Sequence, residues 1–384
     1  MTTNTLTNLL PNLYADLDVV SRELVGLIPA VTLDTSLARG KVGQTIYSPV
    51  APANTSGSIT PAMAVPAEAD QTIGTVSFSL SKSKAVPFSW DGEEERGLNT
   101  GGGIRPVWNG QFAQAIRTLV NEVESDLAAL QSKFSRAYGS ATTAFGTGGD
   151  FTDASKVLKI LKDNGAPLSD NQLVINTDAG ANFLGKQGIY NYQGDSNILR
   201  QGVFQTIAGM DVRESGQIVS QTAGSFTSGT LTSAVRAKGA VSLATTADYS
   251  AGLAAGDIIT LAHESDAHKY VVQSVSASAI TIQEPGLRTA TAASGTVAIT
   301  KVASTARNMA FNRSAIVLAT RLPERPSAGD MAIDVTTITD PRSGLSFEVS
   351  VYPGYRKVRY EVALAWGCEV VAPRHTALLL GAPQ

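Results

Sequence analysis

Between positions 112 and 134, apolar residues recur every three or four positions, which is the period of one face of an α-helix. The residues of this stripe are Phe112, Ile116, Leu119, Val123, Leu127, Leu130 and Phe134. Pro106 suits a helix start, and Gly139 suits the position just past a helix end. The pattern predicts one helix of about thirty residues, roughly 45 Å long. We call it the spine helix and expect the stripe to form its buried side.

A shorter apolar stripe lies near the N-terminus and ends at Pro29. Its residues are Leu13, Leu17, Val20, Leu24 and Leu27. This spacing predicts an amphipathic helix. Because one short helix cannot bury its apolar face by itself, we expect Leu17 and Leu24 to contact another surface, of this chain or of a neighbouring copy.

The region from about Asp34 to Trp90 lacks a helical period and is rich in Pro, Ala, Ser and Thr. In "TVSFSLSKSKAVPFSW" the residues Val76, Phe78 and Leu80 alternate with serines, which predicts a half-exposed strand. Isolated two-stranded structures are marginally stable in water. Two readings remain: a disordered loop, or an arm that becomes ordered on another subunit. In the second, Val76, Phe78 and Leu80 are candidate intersubunit contacts.

An α+β pattern follows the spine helix. The stretch "DASKVLKILKDNGAPLSDNQLVINTDAGANFLG" predicts a helix ending at Gly165, a buried strand over 173–175 and a second helix from about Asp178. A further strand is predicted over 210–212. Later, "LSFEVSVYPGYRKVRYEVALAWGCEVVAP" predicts two long strands joined by a turn at Pro353–Gly354.

A different pattern interrupts this domain from Ala223 to about Val302. Short alternating runs, "DIITLAH", "KYVVQSV", "AITIQE" and "GTVAITKV", are separated by turn residues, which predicts a small antiparallel barrel or sandwich. Removing the block joins Val219 to Met309 and leaves a continuous α+β pattern. We therefore predict an independent β-module inserted into one loop.

Composition narrows the class of protein. The chain has 384 residues, of which 43% are hydrophobic and 16% charged, with a formal net charge of −3. Proteins that mainly neutralise phosphate are usually strongly basic. The single cysteine, Cys368, fits a reducing compartment such as a bacterial cytoplasm. The start "MTTNTLTNLL" has no basic segment and no long apolar run, so we expect neither a secretory signal nor a membrane span.

No motif in the sequence predicts catalysis or a cofactor. The glycine clusters "GGGIRP" and "FGTGGD" lack the phosphate-loop spacing. "HESDAHKY" brings together His263, Glu264, Asp266 and His268. On a strand, however, the two histidines would face opposite ways, and a turn is the simpler reading.

The remaining candidates for chemistry are similarly weak. His375 has no local arrangement that pairs it with Cys368, which we expect to be a small buried residue. The charge run Glu93–Arg96 could bind a basic partner, yet such runs are usually solvated. We predict no catalytic residue, no metal and no cofactor.

The order of these parts resembles the major capsid (coat) proteins of tailed bacteriophages, which have the HK97-like fold. The inserted module makes the chain similar to the group typified by the coat protein of Salmonella phage P22. The stretches that carry the resemblance are "GQTIYSPV", "IAGMDVRESGQIV", "GDIITLA", "YVVQSVSASAITIQEP", "NMAFNRSAIVLATRLP" and "EVALAWGCEVVAPRHTALLLG".

The resemblance implies an α+β HK97-like fold with a small antiparallel β-barrel-like domain inserted. Its parts would be an N-terminal helical arm (1–33), an extended β-arm (34–90), a peripheral domain with the spine helix (91–150 and 331–374), an axial domain (151–222 and 303–330), the inserted domain (223–302) and a C-terminal tail (375–384). In that family the inserted domain helps the subunit fold and contacts neighbouring capsomers. The insertion is short here, which puts in doubt a long loop reaching the next capsomer.

The resemblance also implies a function and partners. Copies would form hexamers and pentamers of an icosahedral shell, assembled with a scaffolding protein and a portal protein in the cytoplasm of a host bacterium. The resulting procapsid would expand as DNA is packaged, and the virion would enclose that DNA without binding it specifically. Whether a decoration protein takes part stays open. The alternatives are a secreted or surface adhesin, which predicts a signal segment, and an enzyme with a β-domain insertion, which predicts a cleft with perturbed titratable groups.

Overall fold

The computed structural model describes residues 25–50, 61, 74–99, 104–146, 151–187, 206–262, 268–291, 297–339 and 344–383. In chain order the strands are β1 Thr32–Gly40, β2 Thr45–Val50, β3 Gly74–Ser79, β4 Lys82–Asp91, β5 Arg136–Tyr138, β6 Asn171–Ile175, β7 Met210–Glu214, β8 Ser220–Gln221, β9 Ser228–Leu231, β10 Ser242–Ala244, β11 Ile258–Leu261, β12 Lys269–Ser276, β13 Ala279–Ile282, β14 Val297–Lys301, β15 Thr305–Asn312, β16 Ile316–Pro323, β17 Asp334–Thr339, β18 Ser346–Gly354, β19 Lys357–Val370 and β20 Thr376–Gly381. The α-helices are α1 Gly92–Asn99, α2 Ile104–Ala129, α3 Thr152–Asp163 and α4 Thr177–Gln187. Single 3₁₀ turns lie at Ile28–Ala30, Leu130–Lys133, Arg313–Ala315 and Pro373–His375.

Helix α2 is the predicted spine helix, and the prediction of its buried stripe is confirmed. All seven residues of the stripe are buried in one apolar cluster. The predicted C-terminal end is wrong, because the α-helix stops at Ala129 and tightens into the 3₁₀ turn. Phe134 follows with extended backbone and packs edge-on against Phe311, with 6.1 Å between ring centroids. The chain leaves the helix axis here, and this change of direction places Phe134 against a second sheet.

The first sheet has the strand order β1-β16-β19-β18-β17, and β4 also pairs with β19. β19 is long enough to pair with three strands: β18 along 357–363, β16 along 365–370 and β4 along 357–366. The spine helix packs on one face of this sheet. Phe112 lies 4.8 Å from the ring of Phe88 on β4 and 5.7 Å from Tyr360 on β19.

The structure corrects the predicted extent of the β-arm, which was drawn from 34 to 90. β1 pairs parallel with β16, and β4 pairs antiparallel with β19, so both belong to the first sheet. Val86, Phe88 and Trp90 alternate toward the spine helix and pack against its cluster. The prediction missed this because the partners of both strands lie more than two hundred residues away in the sequence.

The second sheet has the order β7-β6-β15-β20-β5-β12-β11-β14-β9. Helices α3 and α4 cover its first part, where a separate apolar cluster includes Val157, Leu161 and Phe183. The predicted helices and the strands around 173 and 210 are therefore confirmed. Gly165, with φ +78°, follows α3 at the predicted end, where a left-handed residue favours glycine.

The segment predicted as an insertion leaves and returns at one place. β8 pairs with the start of β15, which puts Gln221 beside Thr305. Strands β9–β14 lie between them and surround their own apolar cluster, with Leu231, Tyr270 and Ile299 fully buried. All the pairings among these strands are antiparallel, as predicted.

The prediction of an independent module needs correction. β12 also pairs with β5, the strand that follows the spine helix, so the module continues the second sheet. Ile258 and Val271 belong to the apolar cluster of the spine helix. Arg307 is 2% exposed and donates to the carbonyl of Gly256 at 2.5 Å. The module has its own core and is joined to the domain by backbone pairing, apolar packing and this buried guanidinium.

Two predicted domain boundaries are also wrong. Ile316–Pro323 was assigned to the axial domain, but as β16 it pairs with β19 in the first sheet. The residues from 375 onward were assigned to a tail, but Thr376–Gly381 is fully buried as β20 and pairs with β15 and β5. The apolar run "TALLLG" fits a central strand, which is buried on both faces.

Replacing Leu119 by Ala tests the spine contact. Leu119 is 1% exposed in the cluster that the helix shares with the sheet. Leu119→Ala should lower the free energy of unfolding by about 2–5 kcal/mol, because it leaves a cavity. The matched control is Ser125→Ala on the exposed side of the same helix, which should change stability by less than about 0.5 kcal/mol. Equal urea midpoints for both variants would contradict the assignment of the buried face.

The module can be tested as a fragment of residues 223–302. Its own cluster should let it fold cooperatively with a β-type circular dichroism spectrum, since the cluster lies wholly within the fragment. It should be less stable than in the full chain, because Ile258 and Val271 lose their cover. A random-coil spectrum would contradict the assignment of a separate core.

Candidate assembly surfaces

Strands β2 and β3 form a hairpin separate from both sheets. Within the described residues, each of the two strands pairs only with the other. Tyr47 is 68% exposed, and Val76 is partly exposed. The hairpin therefore presents its two strands to solvent, and Val76 stays a candidate intersubunit contact.

Two of the predicted intersubunit contacts lie elsewhere. Phe78 is 6% exposed and Leu80 is 0% exposed, and both pack with Ala319 of β16 at the base of the hairpin. The strand predicted to run through Leu80 breaks there, because the Leu80 amide donates to the Gln44 carbonyl and the Ser81 amide to that of Trp366. The prediction that they contact another subunit is therefore wrong, because both residues fasten the hairpin to its own chain.

Two glycines allow the hairpin base to lie this close to the sheet. A Cβ atom on Gly367 of β19 would stand 2.3 Å from the Ser79 carbonyl oxygen. A Cβ atom on Gly40 would stand 2.6 Å from the Leu80 side chain. The backbone at Ser79 therefore rests directly on β19 with no side chain between them.

A buried charge network ties the same region together. Glu348 on β18 is 3% exposed and forms ion pairs with Arg39, at the end of β1, at 2.6 Å and with Arg325 at 2.9 Å. Arg325 also pairs with Asp330 at 3.1 Å. Because two guanidinium groups compensate one buried carboxylate, the point where the chain enters the hairpin is fixed.

The outward side of the spine helix carries no charged residue from Val107 to Ser125. Its exposed residues are Val107, Gly110, Gln114, Thr118, Asn121 and Ser125. A groove of about 340 Å³ runs between this side and β4, with Val86, Pro87 and Phe88 along its wall. Charged residues lie beside it: Lys82 pairs with Asp126 and Lys84 with Glu122, each at 2.7 Å, and Arg117 is partly exposed. The result is an open, neutral, partly apolar surface.

Glu124 lies on the spine helix and fixes the N-terminal segment. It is fully buried, and its carboxylate accepts from the amides of Gly26, Leu27 and Ile28. Leu27 itself is buried, whereas Leu17 and Leu24 lie outside the described residues. Sequence analysis missed Glu124. The available signal was its position beside Val120, Leu127 and Ala128, all buried on the same side of the helix.

The tip between β18 and β19 is a third exposed surface. Gly354 pairs with Lys357, so the turn residues are Tyr355 and Arg356, two positions beyond the predicted Pro353–Gly354. Tyr355 is 92% exposed, and Arg356 has φ +59°. The tip thus presents an aromatic ring next to basic side chains.

The candidate chemistry of the sequence does not converge on a site in the described part of the chain. His263, Glu264 and Asp266 lie outside it, and the described residues contain no group of three His, Cys, Asp or Glu side chains that could hold a metal ion. Burial raises the pKa of Cys368 to about 12, and the residue, predicted to be buried, is partly buried against the apolar cluster of the spine helix. Burial lowers the pKa of His375, which lies in the 3₁₀ turn before β20. Glu93–Arg96 is exposed in helix α1.

None of the described helices is long and apolar enough to cross a membrane.

The close approach at Gly367 can be tested by adding one methyl group. Gly367→Ala should push the hairpin base away from β19, because the new Cβ would overlap the Ser79 carbonyl. Hydrogen exchange of the Leu80 and Ser81 amides should then speed up in the free subunit. Gly97→Ala is the control, since nothing lies within 4 Å of a Cβ there. Unchanged protection of both amides in Gly367→Ala would contradict this packing.

Comparisons with known proteins show likeness of structure alone. No family model matches the sequence, and no curated protein matches it. A structure from Mycobacterium phage Che8 is 13% identical, with a TM-score of 0.45, over 88% of this chain and 84% of that one. The capsid structure of the cyanophage P-SCSP1u is 10% identical, with a TM-score of 0.47, over 92% and 87%. A virus-like particle from Pyrococcus furiosus is 10% identical, with a TM-score of 0.42, over 97% and 100%. Over most of its length, the chain is similar to proteins of phage capsids and of a virus-like particle.

Proposed function

We propose that the chain is a major capsid protein of a tailed bacteriophage, whose copies build a closed shell around double-stranded DNA. The observation that carries the proposal is the hairpin of β2 and β3. Its base is buried on its own chain at Phe78 and Leu80, while its strands pair only with each other within the described residues. The chain thus holds a projecting element rigidly at one end and leaves the rest for a partner.

The energetics of the hairpin support a partner. Two-stranded ribbons are marginally stable in water without a surface to pack on. Beyond its base, the hairpin offers the exposed Tyr47 and the partly exposed Val76. At about 25 cal/mol per Å² of buried apolar area, these side chains stabilise the hairpin appreciably only when another surface covers them.

The neutral side of the spine helix is the surface that suits the hairpin. A hydroxyl- and amide-bearing face with an apolar groove can receive a strand pair without desolvating a charge. The two surfaces differ, so the hairpin of one copy would lie on the spine helix of the next. Such a head-to-tail contact closes into a ring of copies when the rotation between them closes. Hexamers and pentamers are rings of this kind.

The remaining details follow the resemblance. The first sheet with the spine helix would be the peripheral domain, and the second sheet with α3 and α4 the axial domain. The module of β9–β14 would be the inserted domain that assists folding and contacts neighbouring capsomers. Assembly with a scaffolding protein and a portal protein in the host cytoplasm, with expansion on DNA packaging, belongs to the same proposal. The net charge of −3 suits a wall that encloses DNA without binding it. Its role is structural and not enzymatic.

Hydrogen exchange of the free subunit and of the assembled particle tests the hairpin contact. The amides of β2 and β3 around Tyr47 and Val76 should exchange quickly in the subunit and slowly in the particle. Leu80 is the internal control and should be protected in both states, because its side chain is fully buried in its own chain. Equal protection around Tyr47 and Val76 in both states would contradict the proposal.

Two substitutions test the same contact from both sides. Thr118→Lys adds a charge to the neutral side of the spine helix, and Tyr47→Asp adds one to the hairpin. Each should abolish particles in electron micrographs of cells that also express the neighbouring phage genes, while the subunit keeps its thermal midpoint. The exposed Lys156→Glu on α3, at a position with no proposed contact, is the control and should assemble normally. Wild-type particle yields from both variants would overturn the head-to-tail contact.

A further inference from the structure

The carboxylate of Glu124 is the most completely enclosed ionisable group on the spine helix. One oxygen accepts from the Gly26 amide at 2.8 Å and the Leu27 amide at 2.6 Å, and the other from the Ile28 amide at 3.0 Å. The hydroxyl of Ser215, in the loop after β7, donates to the first oxygen at 2.8 Å. One side chain therefore joins the N-terminal segment, the spine helix and a loop of the second sheet.

No cation pairs with Glu124 among the residues that the structure describes. On its own helix, the buried neighbours Val120, Leu127 and Ala128 are apolar. The docked segment 25–28 contains no charged residue. At the end of β7 the facing titratable group is Glu214, whose carboxylate lies against Gly180 of α4 and whose pKa is itself raised by burial. The charge of Glu124 is thus held by dipoles, three of them successive backbone amides, an arrangement that suits an anion.

Close packing fixes the position of segment 25–28, which carries these amides. A Cβ atom on Gly26 would stand 2.4 Å from the Glu214 carbonyl oxygen, so the backbone lies directly against the end of β7. Leu27 and Ile28 are fully buried beside the carboxylate. Undocking the segment would therefore expose Glu124 to water and remove three of its donors together.

We propose that Glu124 is a proton-operated latch that holds segment 25–28 on the spine helix and so sets where the chain leaves the subunit toward its N-terminus. The proposal goes beyond the proposed function, because the latch acts within one chain and needs no assembly.

The burial of Glu124 decides whether acidification strengthens or weakens the docking of segment 25–28. Desolvation raises the pKa of Glu124, and the hydrogen bonds from Leu27, Ser215, Ile28 and Gly26 lower it by less. In the undocked state the carboxyl meets water and has its ordinary pKa. The docked state thus binds a proton more tightly, so acidification toward the ordinary pKa strengthens docking. As the pH rises through the raised pKa, the ionised carboxylate weakens the latch.

Hydrogen exchange of the Gly26, Leu27 and Ile28 amides in the full, unassembled chain tests the latch. Protection factors, corrected for the intrinsic rate at each pH, should fall as the pH rises through the pKa of Glu124, by up to about tenfold per pH unit. Glu124→Gln carries a neutral amide that cannot ionise, so the protection of the three amides should no longer depend on pH.

Two further variants make the result specific. Glu122→Gln, on the same helix but paired with Lys84 near the surface, should keep both the protection and its pH dependence. Ser215→Ala removes one hydrogen bond to the ionised form, so the midpoint of the profile should move to higher pH. The Ser215→Ala variant still tests the proposal if Glu124→Gln fails to fold. A flat wild-type profile, a pH dependence that survives in Glu124→Gln, or an unmoved midpoint in Ser215→Ala would overturn the proposal.

Discussion

The buried stripe of the spine helix is the contact on which the rest of the structure depends. Near its start, Phe112 packs against Phe88 and Tyr360 of the first sheet. Beyond its end, Phe134 packs against Phe311 of the second sheet. One apolar cluster runs between these points and takes in residues of both sheets and of the N-terminal segment. The two sheets thus keep their relation because they share the two ends of one helix.

Three elements are attached to this frame, and each is fixed where it joins it. Leu80 and the close approach at Gly367 fasten the hairpin to β19. The pairing of β12 with β5 fastens the module immediately after the spine helix. Glu124 fastens the N-terminal segment near the C-terminal end of the helix. A subunit built in this way keeps its projecting parts in set places while their outer surfaces remain available to other copies.

The sequence patterns predicted the features that depend on residues close together along the chain. They did not predict the contacts between residues that are far apart along it. The stripe of Phe112 to Phe134 was predictable because a helix repeats locally. The sequence could not predict that β4 pairs with β19, or that β20 lies between β15 and β5. The residues of a strand do not determine by themselves which other strand it pairs with. Leu80 looked like an exposed contact for the same reason: its cover, Ala319, lies far along the chain.

The sequence also did not show which charged side chains are buried. Glu124 and Glu348 look like ordinary solvated charges in the sequence, yet both are buried and bridge separate segments. Glu348 is compensated by Arg39 and Arg325, whereas Glu124 has only dipoles. The difference has a physical consequence. Glu124 is held by backbone amides and one hydroxyl, so its hold on the docked segment changes when it gains or loses a proton. The proposed latch would therefore let the surrounding solution adjust how the N-terminal segment is attached.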